Sequence, residues 1–170
     1  MNKIISSRNS RPVKYYLAYG SNLNVEQMTY RCPDAKPIGS TQITDYRLLF
    51  KGSGTGAYLT IEKAPGYSVP VGVWMVSADD EAKLDRYEGY PHFYYKKQIP
   101  LLLKGEIIMA FVYIMHEERQ IGNPSEFYIK TCIEGYNSFK FDLKILQEAI
   151  DYSKAHTPKK EVRQIRWTNM

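Results

Sequence analysis

An aromatic run that ends at a turn, with a helix start directly behind it, is the feature that most constrains how this chain can fold. Residues 13–19 are apolar and aromatic, which is typical of a half-buried strand. The turn residues Gly-Ser-Asn follow at 20–22. Asn24 with Gln27 three positions later resembles a capping box, so a helix is predicted to begin there. The sequence therefore predicts a strand, a tight turn and a helix in succession.

This turn has the properties of an anion cradle. Gly20 permits a close backbone approach that a side chain would block. A helix N-terminus carries backbone N–H groups without intrahelical partners, which can hold a carboxylate or an oxygen that becomes negative during a reaction. Gly-Ser-Asn is also ordinary turn chemistry, so a purely structural role stays open on this stretch alone.

The rest of the chain is predicted to contain mostly strands, with one mid-chain helix and two helices at the end. Further strands are predicted over 35–44, 46–50, 57–63, 70–76, 93–103 and 106–115, and helices over 24–32, 77–88, 124–135 and 142–154. Residues 64–67 are predicted as a hairpin turn. The glycine-rich segment 51–56 is predicted as a flexible connection, because no Gly-Lys-Ser/Thr sequence follows it.

This order of elements favours an α+β protein with a mixed or antiparallel sheet, curled into a small β-barrel and flanked by helices. At 170 residues the chain is expected to form a single domain, 1–170. Its core is predicted over about 13–154, with polar basic tails at 1–12 and 155–170.

The composition of the chain argues against a membrane-spanning, a secreted or a metal-binding protein. No apolar run approaches the roughly 20 residues of a membrane span, and the N-terminus has no secretory apolar core, which favours a cytoplasmic protein without a membrane partner. Cys32 and Cys132 each stand alone, and the three histidines have no ligand spacing, so we expect buried thiols and no metal site.

The net charge of +5 is concentrated at the two ends of the chain. Residues 1–14 carry four basic groups and no acid, whereas residues 15–150 carry 14 basic and 16 acidic groups. A nucleic-acid surface should instead show a basic stripe on the folded body. We therefore expect no nucleic-acid partner. Binding of nucleic acid through the basic ends of the chain is an alternative hypothesis.

Glu88 is the most informative single residue. It closes a predicted helix just before Gly89, where the helix C-terminus disfavours an acid by about 0.3–1 kcal/mol. It could be a solvated glutamate paired with Arg86 or Lys83. Alternatively, aromatic neighbours hold it in a pocket, where burial and the negative helix end raise its pKa and suit it to proton transfer near neutral pH.

Two motifs together resemble the γ-glutamylcyclotransferase family. The first is Tyr-Gly-Ser-Asn-Leu at 19–23, behind the first strand; the second is Leu-Asp-x-x-Glu-Gly at 84–89, with a tyrosine six or seven residues after the glutamate. The resemblance extends to 124–135 and so covers roughly residues 13–150. It implies a small β-barrel with flanking helices that needs no cofactor and acts on a small-molecule γ-glutamyl substrate. We expect a monomer or a homodimer.

The resemblance also implies roles for individual residues. Glu88 would be the general base and acid, and Tyr128 would contact the substrate. The tyrosine beside the acid would be Tyr94 or Tyr95; strand alternation allows only one inward, and Tyr94 fits better. The loop residues implied to hold the γ-glutamyl group are Tyr19, Gly20, Ser21, Asn22, Leu23 and Asn24.

The implied reaction is an intramolecular aminolysis. The substrate's α-amino group attacks its own γ-carbonyl, releases an amino acid or amine, and closes 5-oxoproline. The alternative to this enzyme is a non-catalytic module that binds a glutamyl or carboxylate ligand in the same pocket.

Overall fold

A five-stranded mixed sheet organises the protein. The computed structural model describes residues 12–53 and 56–159. The strands β1 (Lys14–Ala18), β2 (Lys36–Ser53), β3 (Gly56–Val76), β4 (Tyr94–Leu103) and β5 (Glu106–Met115) lie in the order β2-β3-β1-β5-β4. All neighbouring strands are antiparallel except β1 and β5, which are parallel. The flanking helices are α1 (Val25–Arg31), α2 (Ala78–Glu88), α3 (Glu126–Ser138) and α4 (Leu143–His156).

The predicted α+β class is confirmed, but the sheet is not a closed barrel. The outer strands β2 and β4 approach each other through side chains: Thr41 Oγ1 donates to the Leu102 carbonyl at 3.4 Å, and Lys97 Nζ donates to the Tyr46 hydroxyl at 2.9 Å. No backbone ladder joins these two strands in the described part of the chain. The long strands curl far enough to bring the edges together without pairing them.

The β2–β3 hairpin differs from the prediction. The strands predicted over 57–63 and 70–76 do not pair with each other; both belong to β3 and pair with β2. The register shifts opposite Asp45, where residues 64–67 form an irregularity rather than a hairpin turn. Asp45 has φ 60°, and its Oδ1 accepts a hydrogen bond from Gly66 N–H at 3.0 Å. The turn residues therefore mark a β-bulge. Strand β2 continues through Asp45, so the two strands predicted on either side of this residue are one strand.

Helix starts follow their capping chemistry. The Ser77 side chain accepts from the Asp80 N–H in a capping box that begins α2, and Asp142 caps α4. The N-cap of α3 is Ser125 rather than the predicted Asn123. Helix α4 continues to His156, two residues into the predicted tail. Residues 160–170 of the C-terminal tail, residues 1–11 of the N-terminal tail and residues 54–55 of the glycine-rich connection lie outside the described residues.

The helices cover a single apolar core. Cys32 and Cys132 are both free and fully buried, as predicted for structural thiols. Between residues 12 and 159, leaving out 54–55, no helix is long and apolar enough to cross a membrane.

Helix α3 fixes the turn that follows β1. This turn is a 3₁₀ helix, Ser21–Leu23, whose Leu23 is fully buried. A Cβ placed on Gly135 would lie 2.7 Å from the Leu23 carbonyl carbon and 2.7 Å from the Asn24 backbone nitrogen. Only glycine therefore allows the α3 backbone to approach the turn this closely.

The Gly135→Ala variant tests this packing. Alanine should favour the helix by about 1 kcal/mol, but overpacking against backbone atoms should outweigh that gain and leave a net loss of about 1–3 kcal/mol in the free energy of unfolding. Urea denaturation measures this loss. The exposed Asn137→Ala variant in the same helix is the matched control and should not be destabilised; equal behaviour of the two variants would contradict the close approach.

Candidate active site

A small cavity of about 30 Å³ lies between the turn after β1, the end of α2 and the inner face of the sheet. It is lined mainly by hydroxyl groups, one amide and one carboxyl group. The lining residues are Tyr16, Tyr19, Gly20, Ser21, Asn22, Leu59, Glu88, Tyr94, Tyr113 and Tyr128. Glu88 is the only carboxylic acid among them.

Helix α2 delivers Glu88 to this cavity. Gly89 ends the helix in the left-handed conformation with φ 63°, so that Glu88 is the last helical residue. One turn earlier, Asp85 accepts a hydrogen bond from the Tyr113 hydroxyl at 2.6 Å and pairs with Lys96 Nζ at 2.9 Å. These contacts tie the end of α2 to β4 and β5, so the position of Glu88 is set by the sheet.

Asn22 connects the turn to the acid. Its Nδ2 donates to Glu88 Oε1 at 3.1 Å and to the Tyr16 hydroxyl at 2.9 Å. Glu88 is partly exposed as a whole residue, but protein atoms enclose its carboxyl group. Burial raises the pKa of Glu88 to about 7, while the charge of Arg31 and the hydrogen bond from Asn22 act in the opposite direction. Glu88 can therefore hold or release a proton near neutral pH.

Two tyrosines complete the wall on the open side of β3. Among the described strands, only β2 pairs with β3 at Leu59, because β1 pairs with β3 from Gly72 to Val76. The Tyr94 hydroxyl donates to the Leu59 carbonyl at 2.8 Å, and the Tyr128 hydroxyl accepts from the Leu59 N–H at 3.1 Å. The sheet's unpaired backbone groups thus fix two phenol rings over the cavity.

The tyrosines that line the cavity are buried, and their hydroxyl groups are neutral. Tyr19 donates its hydroxyl to the Tyr113 carbonyl at 2.5 Å. Burial, followed by the nearby charge of Glu88, raises the pKa of Tyr16 and of Tyr19 well above the usual range. Burial has the same effect on the pKa of Tyr94 and of Tyr128. These hydroxyls stay protonated at physiological pH, so they can serve as neutral hydrogen-bonding groups.

A wider groove of about 500 Å³ adjoins the cavity and shares four of its lining residues, Ser21, Glu88, Tyr94 and Tyr128. Its other walls are largely aromatic. They consist of Tyr58, Arg86, Tyr87, Gly89 and Phe93. Glu88 therefore stands between a small polar cavity and a larger aromatic groove.

The structure brings most of the predicted site residues together. Seven of them line the cavity: Tyr19, Gly20, Ser21, Asn22, Glu88, Tyr94 and Tyr128. Tyr94 faces inward, whereas the Tyr95 hydroxyl donates to the exposed Glu117 on the opposite face. The choice between the two tyrosines is thus decided by strand alternation.

The other two predicted residues, Leu23 and Asn24, line neither space. Leu23 is buried in the core. Asn24 caps α1 by accepting from Gln27 N–H at 3.1 Å, and its Nδ2 donates to Glu134 Oε2 at 3.0 Å. Both side chains therefore help to hold the turn in place, and neither lies beside Glu88. The backbone N–H groups of both also bond back, to the carbonyls of Gly20 and Ser21, so they are not the free donors that the sequence predicted.

Sequence reasoning missed part of the site. Tyr16, Leu59 and Tyr113 reach the cavity through strand pairing: Tyr16 lies beside Phe111 on the parallel neighbour β5. Alternation along β1 could have placed Tyr16 and Ala18 on one face, but no local signal shows that β1 pairs with β5. Arg31, which the sequence gave no reason to single out, lies against Asn22.

The arrangement can move a proton and hold a small polar ligand. In the described part of the chain, no three His, Cys, Asp or Glu side chains form a group that could bind a metal ion. What the cavity offers is one carboxyl group titrating near neutrality, an amide and several neutral hydroxyls. These groups suit general acid–base chemistry on a small molecule.

The sequence also matches a known protein family. The family model described as gamma-glutamyl cyclotransferase, AIG2-like, matches residues 16–130. No curated protein sequence matches the chain.

Among solved structures, an uncharacterised protein from Homo sapiens (loc79017) is 27% identical with a TM-score of 0.70, covering 87% of this chain and 90% of that one. A structure named gamma-glutamyl cyclotransferase is 26% identical with a TM-score of 0.68, covering 89% and 92%. YkqA from Bacillus subtilis shares the fold at 15% identity and a TM-score of 0.71, covering 86% of this chain and 56% of its own.

Burial of Glu88 should make the protein less stable as pH rises. A carboxyl group whose pKa is about 7 in the folded state and about 4.5 when unfolded binds its proton more tightly in the folded state. Stability is therefore lost between pH 4.5 and 7, where the carboxyl group ionises in the unfolded chain but stays protonated in the folded one, and the loss levels off above pH 7. Glu88→Gln does not titrate and should be about 1–3 kcal/mol more stable than wild type at pH 8, and equal to it at pH 4.

Urea denaturation at the two pH values measures this difference. The exposed Glu148→Gln variant in α4 is the matched control and should show no pH-dependent gain. A Glu88→Gln variant without any gain at pH 8 would show that the carboxyl group is well solvated.

Proposed function

Because the chain belongs to the gamma-glutamyl cyclotransferase, AIG2-like family, we propose that it is an enzyme that converts a γ-glutamyl amino acid or γ-glutamyl amine to 5-oxoproline and the free amino acid or amine. The observation that carries this proposal is the single carboxyl group of Glu88, with a pKa of about 7, enclosed beside Asn22 in a cavity of hydroxyl groups.

Glu88 acts first as the base. The substrate's α-ammonium group has no lone pair, so the Glu88 carboxylate takes one of its protons before the nitrogen can attack. The amine then adds to the γ-carbonyl carbon of the same molecule, and a new C–N bond closes the five-membered ring. Since the reacting groups belong to one substrate, holding it in the folded conformation supplies much of the rate enhancement.

Glu88 then acts as the acid. The carbonyl oxygen that gained negative charge during the attack returns its electron pair, and the original γ-carbon–nitrogen bond breaks. The proton held by Glu88 passes to the leaving nitrogen. The ring nitrogen still carries two protons after the attack, so it gives one of them to the freed carboxylate and ends as the lactam N–H. Glu88 passes this second proton to the departing amino acid or amine, which leaves as an ammonium group. The carboxylate is restored, so no net proton is gained or lost by the enzyme. A pKa near the working pH suits a group with both tasks.

The cavity and the groove divide the substrate between them. The turn at Gly20–Asn22 and the tyrosine hydroxyls surround the place next to Glu88, where the γ-glutamyl part is held. The aromatic groove on the other side of Glu88 is large enough to accept the leaving amino acid or amine. Tyr58 and Phe93 provide apolar surface there, with ring centroids 6.3 Å apart.

Direct assay tests the reaction. Purified protein is incubated with a panel of γ-glutamyl amino acids and γ-glutamyl amines, and mass spectrometry follows 5-oxoproline. Wild type should form 5-oxoproline, and Glu88→Gln should lose at least about 10²–10⁴-fold in rate, because proton transfer typically contributes that much.

The Glu148→Gln variant is the control for the assay and should match wild type. Full activity of Glu88→Gln would overturn the acid–base assignment. Calorimetry with the same panel covers the remaining outcome: binding without any 5-oxoproline, with only affinity changed by Glu88→Gln, would identify a binding module instead of an enzyme.

The pH dependence should report the titration of Glu88. As the base, Glu88 must be ionised in the free enzyme, so kcat/KM should rise with pH and level off above about pH 7. At pH 5 it should be about a hundredfold below the plateau, since the limb rises tenfold per pH unit. Initial rates at low substrate concentration from pH 5 to 8.5 measure this limb; a flat profile would exclude Glu88 as the titrating base.

A further inference from the structure

Arg31 lies behind the cavity and contacts one lining residue of the cavity, Asn22, and one of the groove, Tyr87. It is the last residue of α1, where a positive charge is favourable. Its Nη1 donates a hydrogen bond to Asn22 Oδ1, and its guanidinium group stacks on the Tyr87 ring at 3.5 Å. The Tyr87 hydroxyl in turn lies 3.1 Å from Ser21 Oγ. The guanidinium group is therefore held by a side chain of the turn and by a ring of α2.

The direction of these hydrogen bonds is determined by chemistry. A guanidinium group has donors and no acceptor, so the atom of Asn22 that faces Arg31 must be the amide oxygen. The amide NH₂ group must then point the other way, where it donates to Glu88 Oε1 at 3.1 Å and to the Tyr16 hydroxyl at 2.9 Å. Without Arg31, the amide could turn its oxygen toward the carboxylate, which would disfavour the ionised acid.

Arg31 also supplies charge. The titratable groups that line the cavity or the groove around Glu88 are Tyr16, Tyr19, Tyr58, Arg86, Tyr87, Tyr94, Tyr113 and Tyr128, and Arg31 lies behind them. Burial keeps the hydroxyl groups of the cavity tyrosines protonated, and Arg86 lies on the exposed side of α2. No carboxylate of the described residues forms an ion pair with Arg31 within 4 Å. Its charge acts on Glu88, where it offsets part of the pKa rise that burial causes.

We propose that Arg31 is a positioning residue of the reaction: through Asn22 it directs an amide N–H at Glu88 and so maintains the carboxylate that deprotonates the substrate ammonium. This proposal rests on the proposed function. It gives Asn22 a role in setting the acid–base group, beyond lining the cavity, and it gives the arginine a role although it touches no substrate.

The Arg31→Gln and Arg31→Lys variants test the proposal. Arg31→Gln should move the acidic limb of the kcat/KM profile up by about one pH unit, so that activity at pH 6 falls about tenfold while the plateau at pH 9 is largely kept. Arg31→Lys keeps the charge and should move the limb less. A loss that is equal at every pH, with the limb unmoved, would show a merely structural role and overturn the proposal.

Arg47→Gln is the matched control. The Arg47 guanidinium also stacks on a tyrosine, Tyr152, at 3.8 Å, but it lies outside the cavity and the groove. This variant should keep the wild-type profile. A double-mutant cycle adds a second test: in an Asn22→Ala background, Arg31→Gln should shift the limb less than it does in wild type. Full additivity would contradict action through Asn22.

A measurement without turnover separates this inference from the proposed function. Carbon-13 NMR of glutamate carboxyl groups, with the Glu88 signal identified by its loss in Glu88→Gln, gives the pKa of Glu88 directly. Arg31→Gln should raise that pKa by about one unit even if no panel compound reacts, in which case the proposed reaction fails and the coupling stands. An unchanged pKa in both arginine variants would overturn the coupling whatever the activity.

Discussion

The site depends on one unfavourable interaction, the enclosure of an ionisable carboxyl group at the C-terminal end of a helix. Burial of Glu88 disfavours its charge, and the protein offsets this effect with one hydrogen bond from Asn22 and the nearby charge of Arg31. Neither compensation is complete, which is why the pKa lies near 7 instead of at either extreme. Burial of this carboxyl group lowers the stability of the folded protein, but it leaves a group that can accept and return a proton near neutral pH.

The tyrosines around Glu88 follow from the shape of the sheet. Strand β3 extends well beyond β1, so part of one edge has no neighbouring strand to satisfy its backbone groups. Tyr94 and Tyr128 supply those hydrogen bonds at Leu59, and in doing so they place their rings around the cavity. The same two side chains thus form hydrogen bonds with the unpaired backbone groups and line the cavity. Part of the polar lining of the cavity is therefore held in place by hydrogen bonds to the sheet.

Local chemistry made much of this predictable. The helix start at Ser77, the helix end at Gly89 and the turn after β1 each follow from residues close in sequence, and each was found where the pattern indicated. The hairpin turn predicted at residues 64–67 was wrong because the local sequence is ambiguous there. A Pro-Gly turn pattern is the same whether it closes a hairpin or forms a bulge, and only pairing with the distant β2 distinguishes the two.

The sequence by itself determined where the helices and most of the strand segments lie, the family resemblance and the identity of Glu88 as the candidate acid, because caps, periodicity and motif spacing are written in short segments. Only the tertiary structure decided which groups surround that acid. The parallel pairing of β1 with β5 brings in Tyr16 and Tyr113, and the packing of α3 turns Leu23 and Asn24 away from the cavity. These contacts join residues far apart in the chain, and their choice depends on the packing of the whole core, which no single segment encodes.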